Sequence, residues 1–470
     1  MSAAPERPGG GRIVVFDVGK TNLKLSLIDE NGRSLAEARR ANHAVNAGPY
    51  PHFDVDAIWD WLLGELAQLP EPHRIGSIIT TTHGATVALL GDAELALPVL
   101  DYEFTGIEEV DADYASLRDD FDRTFSPPLP GGLNVGKQLY WQSLRFPDAF
   151  ARTRAIVPYP QYWAWRLCGV AAGEITSWGC HTDLWDVASR ELAPMVRKLG
   201  WQTLFPPLRE ADAILGALRP DVAARTGLPA DCRVVCGIHD SNASMVKHFY
   251  GTRAPQAPLN VISSGTWTLV AGIGAPLSVL DPQRDMLANV DAWGRPVACA
   301  RFMGGREFSI LNAGHANDCR WADIAALVAR RTLALPSFAP LGGPWPDRRG
   351  EIRGPQPASA RESYALATLY TALVADDCLS RLNSSGEIVI EGPLTANPHF
   401  AALLATLRPA QVVWVSEDRS GTTGGAYLLA CRPAAYDSPR SRAWPVATLP
   451  MSDYAADWRD ALAHASQAHP

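Results

Sequence analysis

Two short turns carry residues that could hold a polyphosphate. Arg12 to Val18 reads Arg-Ile-Val-Val-Phe-Asp-Val and runs into Gly19-Lys20-Thr21, after which Asn22 opens an alternating run to Asp29. That pattern predicts a β-hairpin with Asp17 just ahead of its turn. Leu259 to Ser263, then Ser264-Gly265-Thr266, then Trp267 to Ile273 repeat the order of strand, Gly/Thr turn, strand. Backbone N–H groups in tight glycine turns form anion-binding nests, and threonine hydroxyls add donors. One such turn is ordinary hairpin chemistry. Two of them, in duplicated contexts, point to paired phosphate-binding turns at Gly19/Thr21 and Gly265/Thr266.

Other groups sit where strands end. Cys232-Arg-Val-Val-Cys-Gly-Ile-His239 is a strand-like run that closes on Asp240. Asp240 is a candidate general base, or else the N-cap of the helix-like run toward Phe249. Ile75 to Thr82 is a second such run, ending on His83-Gly84. Cys232, Cys236 and His239 could be read as metal ligands, but a strand places the two cysteines on one face and the histidine on the other, which favours core thiols. Gly19-Lys20-Thr21 is not a P-loop, since Val14 stands where the leading glycine is needed. Gly131 to Lys137 comes nearer, but Gln138 replaces the metal-binding hydroxyl. Gly272-Ile-Gly274 lacks the last glycine of a dinucleotide fingerprint.

These groups need a large scaffold, and 470 residues suffice for several cores. A helix is expected from about Asp54, with Asp54 or Asp56 as N-cap, and others over about Arg361 to Leu382 and Pro398 to Leu407. Strands are expected at Glu387 to Glu391 and Gln411 to Val415. Gly421 to Ala430 reads as a glycine-rich entry into a final helix, followed by a loosely wrapped tail. The aromatic-rich stretch Trp141 to Asp186 is mostly core, with some rings available to line a pocket. A net charge of −8 argues against a nucleic-acid partner. The opening residues lack the apolar core of a secretion signal. Pro255 to Leu280 is uncharged, but polar residues and glycines interrupt it too often for a membrane span. Eight scattered cysteines without a CxxC pair suit reduced thiols in the cytoplasm.

In their order along residues 12–432, these motifs resemble the FGGY carbohydrate kinases of the actin–hexokinase–chaperone superfamily. Asp17-Val-Gly-Lys-Thr-Asn-Leu-Lys24 is similar to the first phosphate motif, and Ile262-Ser-Ser-Gly-Thr-Trp-Thr-Leu269 to the second. Gly237-Ile-His-Asp240-Ser-Asn-Ala-Ser244 resembles the segment with the catalytic aspartate. Glu391-Gly-Pro-Leu-Thr-Ala-Asn-Pro398 and Thr422-Thr-Gly-Gly-Ala426 resemble the adenosine-binding segments. His239-Asp240 together with Ser-Gly-Thr-Trp is similar to the rhamnulokinase and fuculokinase branches. The chain departs from the pattern at Pro393 and at Thr81-Thr82, and it lacks the string that names the family.

The resemblance implies an α/β fold of two actin-like (ribonuclease H-like) domains with a nucleotide cleft between them. The expected boundaries are a sugar-binding domain at residues 1–245, a nucleotide-binding domain at 246–435 and a tail at 436–470. ATP and Mg²⁺ are the implied cofactors. Asp17, Gly19, Thr21, Asn22, Lys24, Gly265 and Thr266 would serve the phosphates, with Asp17 holding the metal. Gly392, Asn397, Gly424 and Gly425 would lie near adenosine, and His83, Gly84, Asp101, Trp163, His181 and His239 near a small-molecule sugar. Asp240 would be the base. The implied reaction moves the γ-phosphate of ATP to a primary hydroxyl of a ketose, such as the 6-deoxy-ketohexoses L-fuculose or L-rhamnulose. A ketopentose or polyol kinase and a non-catalytic sugar/ATP sensor are the alternatives. No membrane or nucleic-acid partner is expected, and a homodimer is left open.

Overall fold

The computed structural model describes residues 11–92, 94–250, 258–313, 316–340 and 342–465. The opening stretch and the start of the uncharged segment at Pro255 lie outside the described residues. The chain divides into two compact units. The first comprises Met1–Arg253, Ala288–Pro296 and Ser420–Asp437, and the second Ala254–Leu287, Val297–Arg419 and Ser438–Pro470.

The first unit is built on six strands: β1 (Arg12–Val18), β2 (Asn22–Ile28), β3 (Ser34–Ala41), β4 (Ile75–Thr82), β5 (Ile214–Ala217) and β6 (Arg233–His239). Their order is β5-β6-β4-β1-β2-β3. β1 and β2 form the expected antiparallel hairpin, while β4 runs parallel to both β1 and β6. The apolar run of β1 has no polar alternation because the sheet is covered on both faces. Val14, Phe16 and Val18 enter one core with Phe53, Leu62 and Trp163. Ile13 and Val15 enter the other with Ile79, Val235, Ala243 and Ala426. Period-two alternation therefore puts Asp17 on the face covered by the helices Asp240–Phe249 and Gly421–Cys431. Asp54 caps the helix Val55–Ala67, accepting from the Ala57 N–H at 3.0 Å.

A seven-stranded sheet, most of it in the second unit, repeats the plan with β7 (Leu259–Ser264), β8 (Thr268–Ile273), β9 (Met286–Val290), β10 (Pro296–Phe302), β11 (Glu387–Glu391), β12 (Val413–Ser416) and β13 (Arg440–Ala443). The order is β9-β10-β8-β7-β11-β12-β13. β7 pairs antiparallel with β8 and parallel with β11, β8 pairs antiparallel with β10, and β12 continues parallel to β11. The directions match those of β1 with β2 and β4, β2 with β3, and β6 with β4. The two Gly/Thr hairpins thus occupy equivalent places in two similar sheets.

Two expectations are corrected. The helix Gly421–Cys431 is not the last, and by its contacts it belongs with the first unit. Residues 436–470 are not a loose tail: they hold β13 and the helix Met451–Ala465, in which Met451, Tyr454, Ala455 and Trp458 are buried. Trp458 Nε1–H donates to the Ala334 carbonyl at 2.7 Å, which anchors that helix within the second unit.

Gly425 is where two helices of the first unit meet backbone to backbone. A Cβ there would stand 1.7 Å from the Ala243 carbonyl oxygen. Gly425→Ala is expected to cost about 2–3 kcal/mol by forcing the helices apart. Gly64, with nothing within 4 Å of an added Cβ, serves as the control. Gly64→Ala should gain about 0.5–1 kcal/mol of helix stability. Urea unfolding of both variants checks this, and equal effects would contradict the packing account.

Candidate active site

The site is assembled by register. Val18 faces Thr82 across β1 and β4, and Thr82 faces His239 across β4 and β6. The three parallel strands end at one level, and the residues around those ends are Asp17, His83 and His239-Asp240. The carboxyl ends of parallel strands are where open α/β sheets bind ligands.

Asp17 lies opposite Lys24 on β2, and Lys24 lies opposite Arg39 on β3. Burial and the neighbouring Asp240 carboxylate push Asp17 up to about 7, against the pull of Lys24 and Arg39. A hard divalent cation suits a carboxylate under that repulsion, so the residues present fit Mg²⁺ held with few protein ligands. At the hairpin tip the Gly19 N–H donates to the Asn22 carbonyl at 2.9 Å, and a Cβ at Gly19 would lie 2.9 Å from that oxygen. Gly19 therefore serves the turn geometry and does not offer its own N–H. Thr21 and Asn22 are exposed beside it.

Asp240 is the first residue of the helix Asp240–Phe249; His239 holds the capping position. The N-cap reading of Asp240 is thereby corrected. Its Oδ1 accepts from the Ser241 N–H at 2.5 Å and lies 3.3 Å from His239 Nε2. Those contacts take Oδ1 and leave Oδ2 without a hydrogen-bond partner among the described residues, in a side chain that is 30% exposed. His239 Nδ1–H donates to Asn242 Oδ1 at 2.8 Å, and the Asn242 amide is fixed by donating to the Val290 carbonyl. Both ring nitrogens thus face acceptors. Burial opposes charge on His239, but Cys180, Asp240 and Asn242 outweigh it and raise its pKa above the ordinary value.

His83 shows the reverse. Its ring is buried among Phe53, Tyr102 and Tyr159, with centroids 5.1, 5.5 and 5.2 Å away. Burial drives its pKa down to about 4. Nδ1 sits 3.1 Å from the Gly84 carbonyl, while Nε2 is buried without a partner. A neutral imidazole that donates from Nδ1 presents Nε2 as an acceptor, which suits a ligand hydroxyl. Gly84 is needed there, because a Cβ would fall 2.6 Å from His239 Nε2.

Models of the FGGY family match both parts of the chain: the N-terminal domain over residues 132–246 and the carbohydrate kinase FGGY C-terminal domain over residues 256–439. A carbohydrate kinase from Novosphingobium aromaticivorans is 36% identical, with a TM-score of 0.90 over 97% of this chain and 99% of that one. The chain belongs to the FGGY family of carbohydrate kinases. The L-fuculokinase of Salmonella typhi is 26% identical over 275 residues, covering 55% of this chain and 56% of that enzyme. The chain thus spans about half the length of the curated relatives it matches. The xylulose kinase of Lactobacillus acidophilus, at 16% identity and a TM-score of 0.76, shares the fold over 96% of each chain.

The remaining expected residues of this FGGY protein separate into two groups. Asp101 is buried against Lys20, and His181 lies beside Cys180, next to the His239 ring. Trp163, in contrast, is fully buried in the core, edge-on to Phe16 at 5.6 Å, and the structure does not bring it to the site. In the second unit Gly392, at φ +74°, approaches Ser264 so closely that a Cβ would stand 2.1 Å from its carbonyl. Ser264 Oγ accepts from the Leu394 N–H at 3.0 Å, tying the Gly265-Thr266 hairpin to the residue 391–397 segment. Asn397 caps the helix Pro398–Leu407 and donates to Thr368 Oγ1 at 3.0 Å, so its amide has structural work. Gly424 would place a Cβ 1.8 Å from Ser420 Oγ. Lys137, from the near-miss P-loop, pairs with Asp111 at 2.8 Å. Among the described residues no group of three or more His, Cys, Asp or Glu is placed to hold a metal, and no helix is long and apolar enough to cross a membrane.

Sequence reasoning missed Thr176 and Glu174. The Thr176 hydroxyl accepts from the His239 N–H at 3.2 Å and donates to Glu174 Oε2 at 2.5 Å. Glu174 in turn caps the short helix Ile175–Trp178. The signal was present as Glu-Ile-Thr-Ser, but nothing local said which strand the turn would support.

The His83 titration gives a test with a definite sign. The unfolded chain protonates near 6.5, whereas folded His83 refuses the proton until about 4. Its neutral burial therefore contributes stability that is present above 6.5 and lost as pH falls toward 4. The change should be about 3 kcal/mol. In His83→Gln, stability should fall less steeply across that window. Parallel curves for variant and wild type, from urea unfolding at stepped pH, would contradict the assignment.

Proposed function

We propose that the protein is an ATP-dependent sugar kinase that transfers the γ-phosphate to the primary hydroxyl of a neutral ketose. The favoured acceptor is a 6-deoxy-ketohexose such as L-fuculose or L-rhamnulose, and the product is the 1-phosphate. The observation that carries the reading is Asp240: His239 and the Ser241 N–H occupy Oδ1, which leaves Oδ2 to meet a hydroxyl proton. A binding protein of this fold has no need of a carboxylate poised in that way.

Phosphoryl transfer asks chiefly for positioning and for stabilisation of charge on the moving group. In this reading Asp240 Oδ2 accepts the proton of the attacking hydroxyl as the bond to phosphorus forms. His239 orients the carboxylate through the contact of its Nε2 with Oδ1. His83 Nε2 accepts from a second sugar hydroxyl and sets which hydroxyl reaches Asp240. Thr21 at one hairpin and Thr266 at the other offer donors to phosphate oxygens, with Gly265 admitting close backbone approach, and Asn22 and Lys24 extend the first set. Asp17 would hold Mg²⁺, which when bound neutralises charge on the β- and γ-phosphates. Gly392, Asn397, Gly424 and Gly425 stay the proposed adenosine neighbours.

The likeness to L-fuculokinases supports the 6-deoxy-ketohexose. So does the wall of Phe53, Tyr102 and Tyr159 around His83, an apolar surface suited to a methyl group. The test is an ATP-coupled assay with L-fuculose, L-rhamnulose, D-xylulose and glycerol, run on wild type and Asp240→Asn. L-fuculose or L-rhamnulose should be turned over fastest. Asp240→Asn should fold, bind ATP and lose about 10²–10⁴-fold in kcat. A folded variant keeping more than about a tenth of wild-type kcat would remove the base assignment. Turnover of glycerol alone would overturn the acceptor class.

A further inference from the structure

Lys20 lies inside the first phosphate motif, yet its side chain leaves the phosphate-facing strand surface. Asp17, Lys24 and Arg39 stand in register on that surface. The Lys20 ammonium runs instead to Phe53 and Tyr102, 5.1 and 5.0 Å from their ring centroids. Phe53 belongs to the core on the opposite face of the sheet from Ile13 and Val15, and it also packs on His83. Lys20 pairs there with Asp101 and lies 3.4 Å from Glu103 Oε2. The Lys20 and Asp101 side chains are only 18% and 11% exposed, so the pair is largely withdrawn from water.

The hydrogen-bonding capacity of this pair is not exhausted. Asp101 Oδ1 accepts from Lys20 and from the Glu103 N–H at 3.1 Å, which leaves Oδ2. The ammonium has three protons and two carboxylate partners, which leaves one. A donor and an acceptor side by side match two neighbouring hydroxyls. Three carboxylates, Asp101, Glu103 and Asp240, still outnumber the two cations that face them, Lys20 and His239, so the lysine is not free to attract an anion. A sugar acid would bring a fourth carboxylate to an already negative pocket.

We infer that Lys20 and Asp101 form a donor–acceptor clamp for two adjacent hydroxyls of a neutral sugar, making Lys20 a specificity-determining residue of the acceptor site and not a phosphate ligand. This rests on the kinase reading above. The clamp lies beside His83, so it holds the far part of the sugar while Asp240 meets the reacting hydroxyl. It also explains a lysine in a turn whose phosphate duties fall to other residues.

The experiment uses the full chain with L-fuculose, D-xylulose and D-gluconate as probes. Lys20→Met keeps the apolar stem over Phe53 and Tyr102, and Lys20→Arg keeps the charge; a thermal melt of each establishes the fold. Lys20→Met and Asp101→Asn should each raise the KM for the neutral sugar about tenfold to a hundredfold, the range expected for losing a charged hydrogen bond. The KM for ATP should move by less than about twofold, and Lys20→Arg should recover part of the loss. The double variant should be little worse than the worse single, since the two residues act as a unit. A rise in the ATP KM with the sugar KM unchanged would make Lys20 a phosphate ligand and overturn the inference. So would a wild type that prefers D-gluconate. If wild type turns over a neutral sugar and a folded Lys20→Met equals it, the clamp alone falls. If wild type neither binds nor turns over any probe, the kinase reading falls and the clamp with it.

Discussion

The in-register ending of β1, β4 and β6 is the constraint from which the site follows. Val18, Thr82 and His239 stand at one level, so three separate segments leave the sheet together. Period-two alternation then decides which face each residue meets. Asp17 shares a face with Ile13 and Val15, and that face is covered by the helix that Asp240 begins. Residues more than two hundred positions apart come into electrostatic contact because both are tied to one sheet. A slip of one residue in β1 would turn Asp17 to the opposite core.

That placement creates opposing electrostatic demands within a small volume. Asp17 is pushed up to about 7 by burial and by Asp240, while His83 is driven down to about 4, chiefly by burial, with the Lys20 and His239 charges adding to it. His239 goes the other way: burial opposes its charge, but Cys180 first, then Asp240 and Asn242, outweigh it. One histidine is thereby kept as an acceptor and the other as a charged partner for a carboxylate. Neither state is intrinsic to the residue type; each is set by what surrounds the ring. The scaffold sustains these costs through wide apolar burial on both faces of the sheet, and through the close helix contact at Gly425 that seats the helix of Asp240.

Much of this was legible in the sequence where the signal was local. Both hairpins, the Asp54 cap and the strand ending on His239 follow from alternation, turn chemistry and capping. The duplicated hairpin also anticipated the repeated order of the two sheets. Tertiary facts were harder. Asp240 could be read as a base or as a cap, because a strand-to-helix junction does not reveal in sequence which residue takes the first helical position. Gly425 carries a local ligand-like signal, but its close approach to the Ala243 carbonyl of another helix has none. The pairing of Lys20 with Asp101 left no local signal, because the two residues are 81 positions apart. Trp163 was drawn toward a pocket by an aromatic count that could not separate wall from core. The helix Met451–Ala465 was missed although Met451, Tyr454, Ala455, Trp458 and Leu462 recur at helical spacing. The Pro- and Ser-rich approach to it masked that periodicity.

The central claim is that Asp17, His83 and Asp240 form one phosphoryl-transfer site at the ends of these strands. The most direct measurement is a crystal structure of Asp240→Asn with a non-hydrolysable ATP analogue, Mg²⁺ and L-fuculose. The expected result places the sugar O1 within hydrogen-bonding distance of the residue 240 side chain, a second hydroxyl on His83 Nε2, and Mg²⁺ near Asp17. A sugar bound elsewhere, with His83 Nε2 still without a partner, would contradict the account.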